Sequence, residues 1–103
     1  MLRLLDPARA LAARGWARPG SLVLDTGIER LALTIRDGRA RIEQTAQEPD
    51  IRLDRARLAS VAFGGLRAAQ AARLGWLVAR DGGTLALAGA LLDLPPYFSA
   101  DRF

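Results

Sequence analysis

The chain has 103 residues, of which 20 are Ala, 18 Leu and 15 Arg, and it contains no Lys, His or Cys. Its formal charge of +4 comes from guanidinium groups set against 11 carboxylates, and a length near 100 residues with half of them apolar fits one domain with one core. The missing residue types exclude Ser-His-Asp and Cys-His triads, zinc fingers, thioredoxin-like redox sites, disulfide stapling and haem ligation by His or Cys.

Asp6-Pro7 reads as a helix start, a capping carboxylate followed by a proline at the first helical position. Ala8, Leu11 and Ala12 then form an apolar stripe, Gly15 is a natural stop, and Trp16 packs where the chain leaves this short helix. Arg3, Asp6 and Arg9 interrupt the N-terminal segment, so it lacks the apolar run of a signal peptide. No stretch approaches the roughly 18 apolar residues of a membrane span. The expectation is a soluble cytoplasmic protein with no membrane span.

After the turn at Pro19-Gly20 the period changes to two. Leu22 and Leu24 alternate with Val23 and Asp25, and a second strand runs over residues 31–36. Asp37-Gly38 is a strong hairpin signal. A two-residue loop there puts Ile35 opposite Ala40 and Leu33 opposite Ile42 on an apolar face, with Thr34 opposite Arg41 and Ala32 opposite Glu43 on a polar one. A two-residue loop at Thr26-Gly27 sets Leu24 against Glu29, so the first hairpin calls for a longer one. Residues 50–54 alternate as a short fourth strand after Pro49.

Asp54 caps a helix over Arg55–Phe63 with Leu58, Val61 and Ala62 on one face, and Gly64-Gly65 ends it. A second helix spans residues 66–74, with Arg67 and Arg73 available to solvent, and stops at Gly75. Trp76-Leu77-Val78 reads as a strand fragment or as a linker packed on the core. A last helix over residues 84–94 shows Leu87, Leu91 and Leu94 at helical spacing before Pro95-Pro96. The whole is one domain, residues 1–103, of the α+β class. It starts with a helix, continues with four antiparallel strands in a small antiparallel or mixed sheet of four to five strands, and ends with helices that cover the sheet.

Candidate sites are few. Gly82-Gly83 precedes a helix but lacks the phosphate-loop frame, which also needs a Lys. Asp50 and Asp54 are better read as cap and turn residues than as an acid/base or metal pair. Ser21, Ser60 and Ser99 have no His or Lys to activate them. The arginines spread from Arg3 to Arg102, and the nearest cluster, Arg52, Arg55 and Arg57, alternates with Asp50 and Asp54. Aromatics for base stacking are sparse, so no nucleic acid is expected as a partner. One group of apolar positions describes either a packed core or an apolar cavity for a small hydrophobic ligand: Leu22, Leu24, Leu33, Ile35, Ile42, Leu58, Val61, Phe63, Leu66, Leu74, Leu87 and Leu91. Periodicity alone does not separate the two.

The order of Gly20-Ser21-Leu22-Val23-Leu24-Asp25, the Asp-Gly hairpin, Asp50-Ile51-Arg52-Leu53-Asp54, Leu58, Gly64-Gly65 and the closing Phe103 resembles a known family. It is similar to the sterol-carrier-protein-like C-terminal domain of Eis-type (enhanced intracellular survival) GNAT N-acetyltransferases. The resemblance implies a sterol-carrier-protein-like α+β fold and an accessory role in architecture and oligomer packing, without catalysis by this chain alone. It implies a GNAT domain as partner, in cis or in trans, or self-association. Acetyl-CoA would belong to that GNAT domain, with no cofactor and no metal in this chain. It further implies that the terminal carboxylate, here that of Phe103, reaches the acetyl-transfer site as a base beside an aromatic hydroxyl. Two other roles fit the same residues, a carrier of lipid or another hydrophobic ligand and a structural dimerisation module.

Overall fold

The computed structural model describes residues 7–93. Period-two patterning in the first half produces β1 (Gly20–Asp25), β2 (Arg30–Arg36) and β3 (Arg39–Gln44), joined as two hairpins. Asp37 and Gly38 take positive φ, 55° and 78°, as the tight loop between right-twisted strands requires. The register follows from it: Ile35 faces Ala40, Leu33 faces Ile42 and Thr34 faces Arg41. The first hairpin has the longer loop, residues 26–29, and this sets Leu24 against Leu31 and Leu22 against Leu33. Thr26 closes that loop, its N–H donating to the Glu29 carbonyl at 3.0 Å.

The sheet is the mixed one of the two expected kinds, and only the antiparallel direction expected of the fourth strand is corrected. β4 (Ile51–Arg52) pairs parallel with β1, and β5 (Val78–Ala79) adds antiparallel to β4. The five-stranded mixed sheet has the order β3-β2-β1-β4-β5. Residues 45–50 carry the chain from the β3 edge past β2 and β1, so β4 enters running in the direction of β1. A strand of two residues has few ladder bonds of its own, and Asp50 supplies what is missing. Its N–H donates to the Val23 carbonyl at 2.8 Å, and its Oδ2 accepts from the Val23 N–H at 2.8 Å. Its carbonyl accepts from the Arg80 N–H at 2.9 Å, while Oδ1 lies 3.0 Å from Arg80 Nη2. One aspartate thereby joins β1, β4 and β5.

Among the described residues there are four helices: α1 (Pro7–Ala13), α2 (Arg55–Phe63), α3 (Ala68–Arg73) and α4 (Gly82–Leu92). The capping Asp6 lies outside the described residues, as do Leu94, Pro95 and Pro96. The sheet contributes Leu22, Leu24, Leu33, Ile35 and Ile51 to one buried cluster, and the helices contribute Leu11, Leu58, Val61 and Leu92 with five alanines, Ala59, Ala62, Ala68, Ala71 and Ala88. Alanine at those positions lets helix backbones approach the sheet and one another closely. Leu91 is also buried, and Ile42, Phe63 and Leu66 are partly buried against the cluster.

Two of the apolar positions expected inside are on the surface. Leu74 is 58% exposed because α3 ends at Arg73 and the chain reverses at Gly75, φ 81°. The N–H groups of Trp76 and Leu77 both donate to the Ala71 carbonyl, and Leu77 enters the core in place of Leu74. Leu87 is exposed because α4 is apolar around its whole circumference, so its leucine spacing does not select the face that packs. The buried stripe is Thr84, Ala88, Leu91 and Leu92. The segment 76–78 divides its roles: Leu77 packs inward and Val78 opens β5.

Asp50→Ala leaves the Val23 N–H without its acceptor and Arg80 with only the more distant Asp81 carboxylate, at 3.8 Å. The expected loss is about 2 kcal/mol in urea denaturation. Asp50→Asn keeps an oxygen for Val23 and is expected to cost about half as much, roughly 1 kcal/mol.

Candidate functional site

The two carboxylates four residues apart do not converge. Asp50 sits in the sheet junction, and Asp54 caps α2, its Oδ1 accepting from the Arg57 N–H at 2.8 Å. Gly82 and Gly83 form the first residues of α4, where Asp81 Oδ1 accepts from the Thr84 N–H at 2.7 Å. That bond holds the exposed Asp81 carboxyl below its ordinary pKa. Ser60 donates back to the Ala56 carbonyl at 3.1 Å, and Ser21 is exposed on the sheet. No group of three or more His, Cys, Asp or Glu side chains suited to a metal ion occurs among the described residues. Phe103 and Ser99 lie outside them.

The features with a definite physical character are surfaces. On the sheet face away from the core, Ser21, Val23, Ala32 and Thr34 line a groove of ≈ 410 Å³ bounded by Gln47, Glu48, Asp50 and Arg80. Charges on this face largely meet their opposites: Asp25 lies 3.7 Å from Arg30 and 3.8 Å from Arg52. Nearby, Arg55 reaches Glu29 at 2.9 Å.

The β5 edge differs. Leu74, Trp76 and Val78 are 58%, 41% and 60% exposed, three large apolar side chains within five residues. Each has an arginine beside it. Arg73 lines a hollow with Gln70 and Leu74, the Arg57 guanidinium stacks 4.2 Å from the Trp76 ring centre, and Arg52 stands opposite Val78 in the β4–β5 register. Residues 55–80 hold five arginines and no acid, while the remainder of the chain has ten arginines and eleven acids. That run is visible in the sequence. It goes unnoticed when arginines are judged by the tightness of their clusters instead of by the missing acids between them.

A second cluster ties the ends of the helical layer together. Asp93, just past α4, turns its Oδ1 to the Ala68 N–H at 2.8 Å and so satisfies the start of α3 from another element. Burial pushes its carboxyl above the ordinary aspartate pKa, against the lowering effects of that bond and of Arg67 and Arg14. Arg14 stacks 4.1 Å from the Trp16 ring centre, and burial lowers its own pKa while Asp93 opposes the shift. Trp16 Nε1 in turn donates to the Leu11 carbonyl at 3.0 Å.

Residues 7–99 match the family model of the sterol carrier protein domain. Among solved structures, the chain is similar to Eis1 from Mycobacterium abscessus at 28% identity and a TM-score of 0.75, over 87% of this chain and 24% of that one. It is also similar to a GCN5-related N-acetyltransferase from Anabaena variabilis (20% identity, TM-score 0.80, 90% and 26% of the two chains). A GCN5-related N-acetyltransferase from Kribbella flavida gives 24% identity and a TM-score of 0.75, over 90% and 26%. The last two likenesses concern the fold. The chain spans about a quarter of the length of these three proteins. No curated protein matches it.

Asp93 binds its proton more tightly in the folded state than in the unfolded one. Its contribution to stability is therefore fully present below the ordinary aspartate range and is lost as pH rises through its raised value. Asp93→Asn, which keeps an acceptor for Ala68, is expected to match or exceed the parent in denaturation midpoint at neutral pH. That advantage disappears on acidification. Asp93→Ala also removes the acceptor and is expected to lose about 1 kcal/mol at neutral pH.

Proposed function

The chain belongs to the sterol carrier protein domain family, and from that premise we propose that it serves as an accessory domain of a GNAT-type N-acetyltransferase. Whether joined to the acetyltransferase or acting in trans, it contributes architecture and oligomer packing, and acetyl-CoA is held elsewhere. The observation that carries this reading is the pairing of coverages: 87–90% of this chain corresponds to only 24–26% of each similar structure, two of which are N-acetyltransferases. The composition agrees, since a chain without His, Cys or Lys has few side chains with which to activate a nucleophile at neutral pH.

By the same reading the carboxylate of Phe103 is a base at the acetyl-transfer site. An α-carboxylate has an unperturbed pKa of roughly 3.3–3.7, so it is ionised at neutral pH and needs its site to raise its basicity. In an acetyltransferase assembled with this domain, two glycines added after Phe103 are expected to lower kcat about a hundredfold, with little change in KM.

A second reading, a carrier of a hydrophobic ligand, is supported by the family's sterol-carrier description and by the leucine-rich layer between sheet and helices. Titration calorimetry and ligand displacement separate the two. The accessory reading expects the isolated chain to show neither acetyl-CoA binding nor acetyl transfer, and no saturable displacement of a fluorescent fatty acid. Acetyl-CoA turnover by the isolated chain overturns that reading. Stoichiometric displacement of the fatty acid by unlabelled lipid favours the carrier.

A further inference from the structure

We propose that the β5 edge of the domain is a docking surface for a membrane bearing anionic lipid headgroups. Leu74, Trp76 and Val78 stand out around the turn at Gly75, while Leu77, 2% exposed, packs into the core between two of them. That alternation fixes Trp76 and Val78 outward through the fold itself. Leucine, valine and an indole held in this way are suited to the boundary between headgroups and acyl chains, where an indole combines an apolar body with a polar N–H.

Charge decides what kind of surface this edge meets. The run 55–80 carries five arginines and no acidic residue. Arg55 and Arg80 are engaged by Glu29 and Asp50, and Arg52 shares Asp25 with Arg30. Arg57 stacks on Trp76, and Arg73 is exposed beside Leu74. An arginine so placed can lay its aliphatic stem over the inserted apolar side chains and present its guanidinium to phosphate. Basic groups near an anionic leaflet each contribute about a fivefold gain in partitioning. Glu48, Asp50 and Asp81 stand at the Val78 end of the edge with Arg52 and Arg80. The positive charge without a carboxylate beside it therefore lies at the Leu74–Trp76 end, on Arg57 and Arg73, and a second copy meeting that end sets those two arginines against their own copies. No helix of the described residues is long and apolar enough to cross a membrane, and the attachment is peripheral.

The two tryptophans make the test direct. Trp16 is 6% exposed and hydrogen-bonded at Nε1, so a lipid-dependent change in emission reports Trp76. The full chain is mixed with vesicles of phosphatidylcholine alone, or with about one quarter phosphatidylglycerol, and followed by co-sedimentation and tryptophan emission. The expected result is pelleting with the anionic vesicles only, a blue shift, and weakening as salt rises. Arg73→Gln, an exposed and helix-compatible change, is expected to reduce partitioning about fivefold. Trp76→Ser is expected to reduce it about tenfold and to abolish the shift, with Trp16 emission reporting that the fold is kept.

Equal pelleting with both vesicles, or with neither, overturns the proposal. So does pelleting without a blue shift, or partitioning unchanged in both variants. A blue shift that instead follows protein concentration without lipid, with a dimer in sedimentation velocity, assigns the edge to a second copy and overturns it as well. None of these outcomes bears on acetyl-CoA binding, so this inference and the accessory reading fail separately.

Discussion

Strand β1 is hydrogen-bonded on both sides, antiparallel to β2 over six residue pairs and parallel to β4 over only two. The shorter pairing controls the architecture, because β5 and the helices that follow β4 take their positions from it. Asp50 makes it possible. With one N–H, one carbonyl and two carboxylate oxygens it meets Val23 twice and Arg80 twice, extending a ladder that the backbone alone leaves short. The arrangement uses an ionised acceptor where a neutral one is usual, and hydrogen bonds to charged acceptors are shorter and stronger than neutral ones. Pro49, immediately before it, has no N–H to satisfy.

Aspartates perform the same kind of work across the helical layer. Asp54 receives the first turn of α2, Asp81 that of α4, and Asp93 reaches from the end of α4 to the start of α3. Each satisfies a donor that a helix start leaves unpaired. Asp93 differs because it acts between elements and is partly desolvated, so it trades some electrostatic stability for a tertiary link. Four of the domain's aspartates therefore have structural employment that accounts for their positions, which fits a module whose contribution lies in shape and surface. The exposed faces carry that contribution. The open sheet face is a balance of paired charges around small side chains, whereas the β5 edge combines exposed apolar groups with Arg57 and Arg73 at its Leu74–Trp76 end and with paired charges at its Val78 end.

Much of this was legible in the sequence. Asp37-Gly38 demanded a two-residue loop, and with it the β2–β3 register, because positive φ at both positions leaves little alternative. Asp54 and Gly64 bounded α2 by capping and by a break, both local effects. The order of elements carried the family resemblance, and the sterol carrier protein match over residues 7–99 agrees with it. The direction of β4 was not legible, since alternation at 51 and 53 is the same whichever way the strand runs. Nor was the fate of Leu74 and Leu87. Leu77 displaced the first after a chain reversal, and α4, apolar on every side, offered no polar face to orient the second.

The composition with which the chain begins, without Lys, His or Cys, determined by itself which chemistries the domain lacks, because no fold supplies a side chain that is absent. Local stereochemistry likewise determined the hairpins and the starts of two helices. Only the tertiary structure decided that Asp50 would join three strands, that Asp93 would cap a helix begun 25 residues earlier, and that Leu77 and not Leu74 would be buried. Those outcomes depend on which distant groups meet, and a pattern of nearest neighbours holds no information about that. The acid-free run from 55 to 80 joins the two levels. Its charge is written in the sequence, but the fold alone sets exposed Leu74, Trp76 and Val78 beside it.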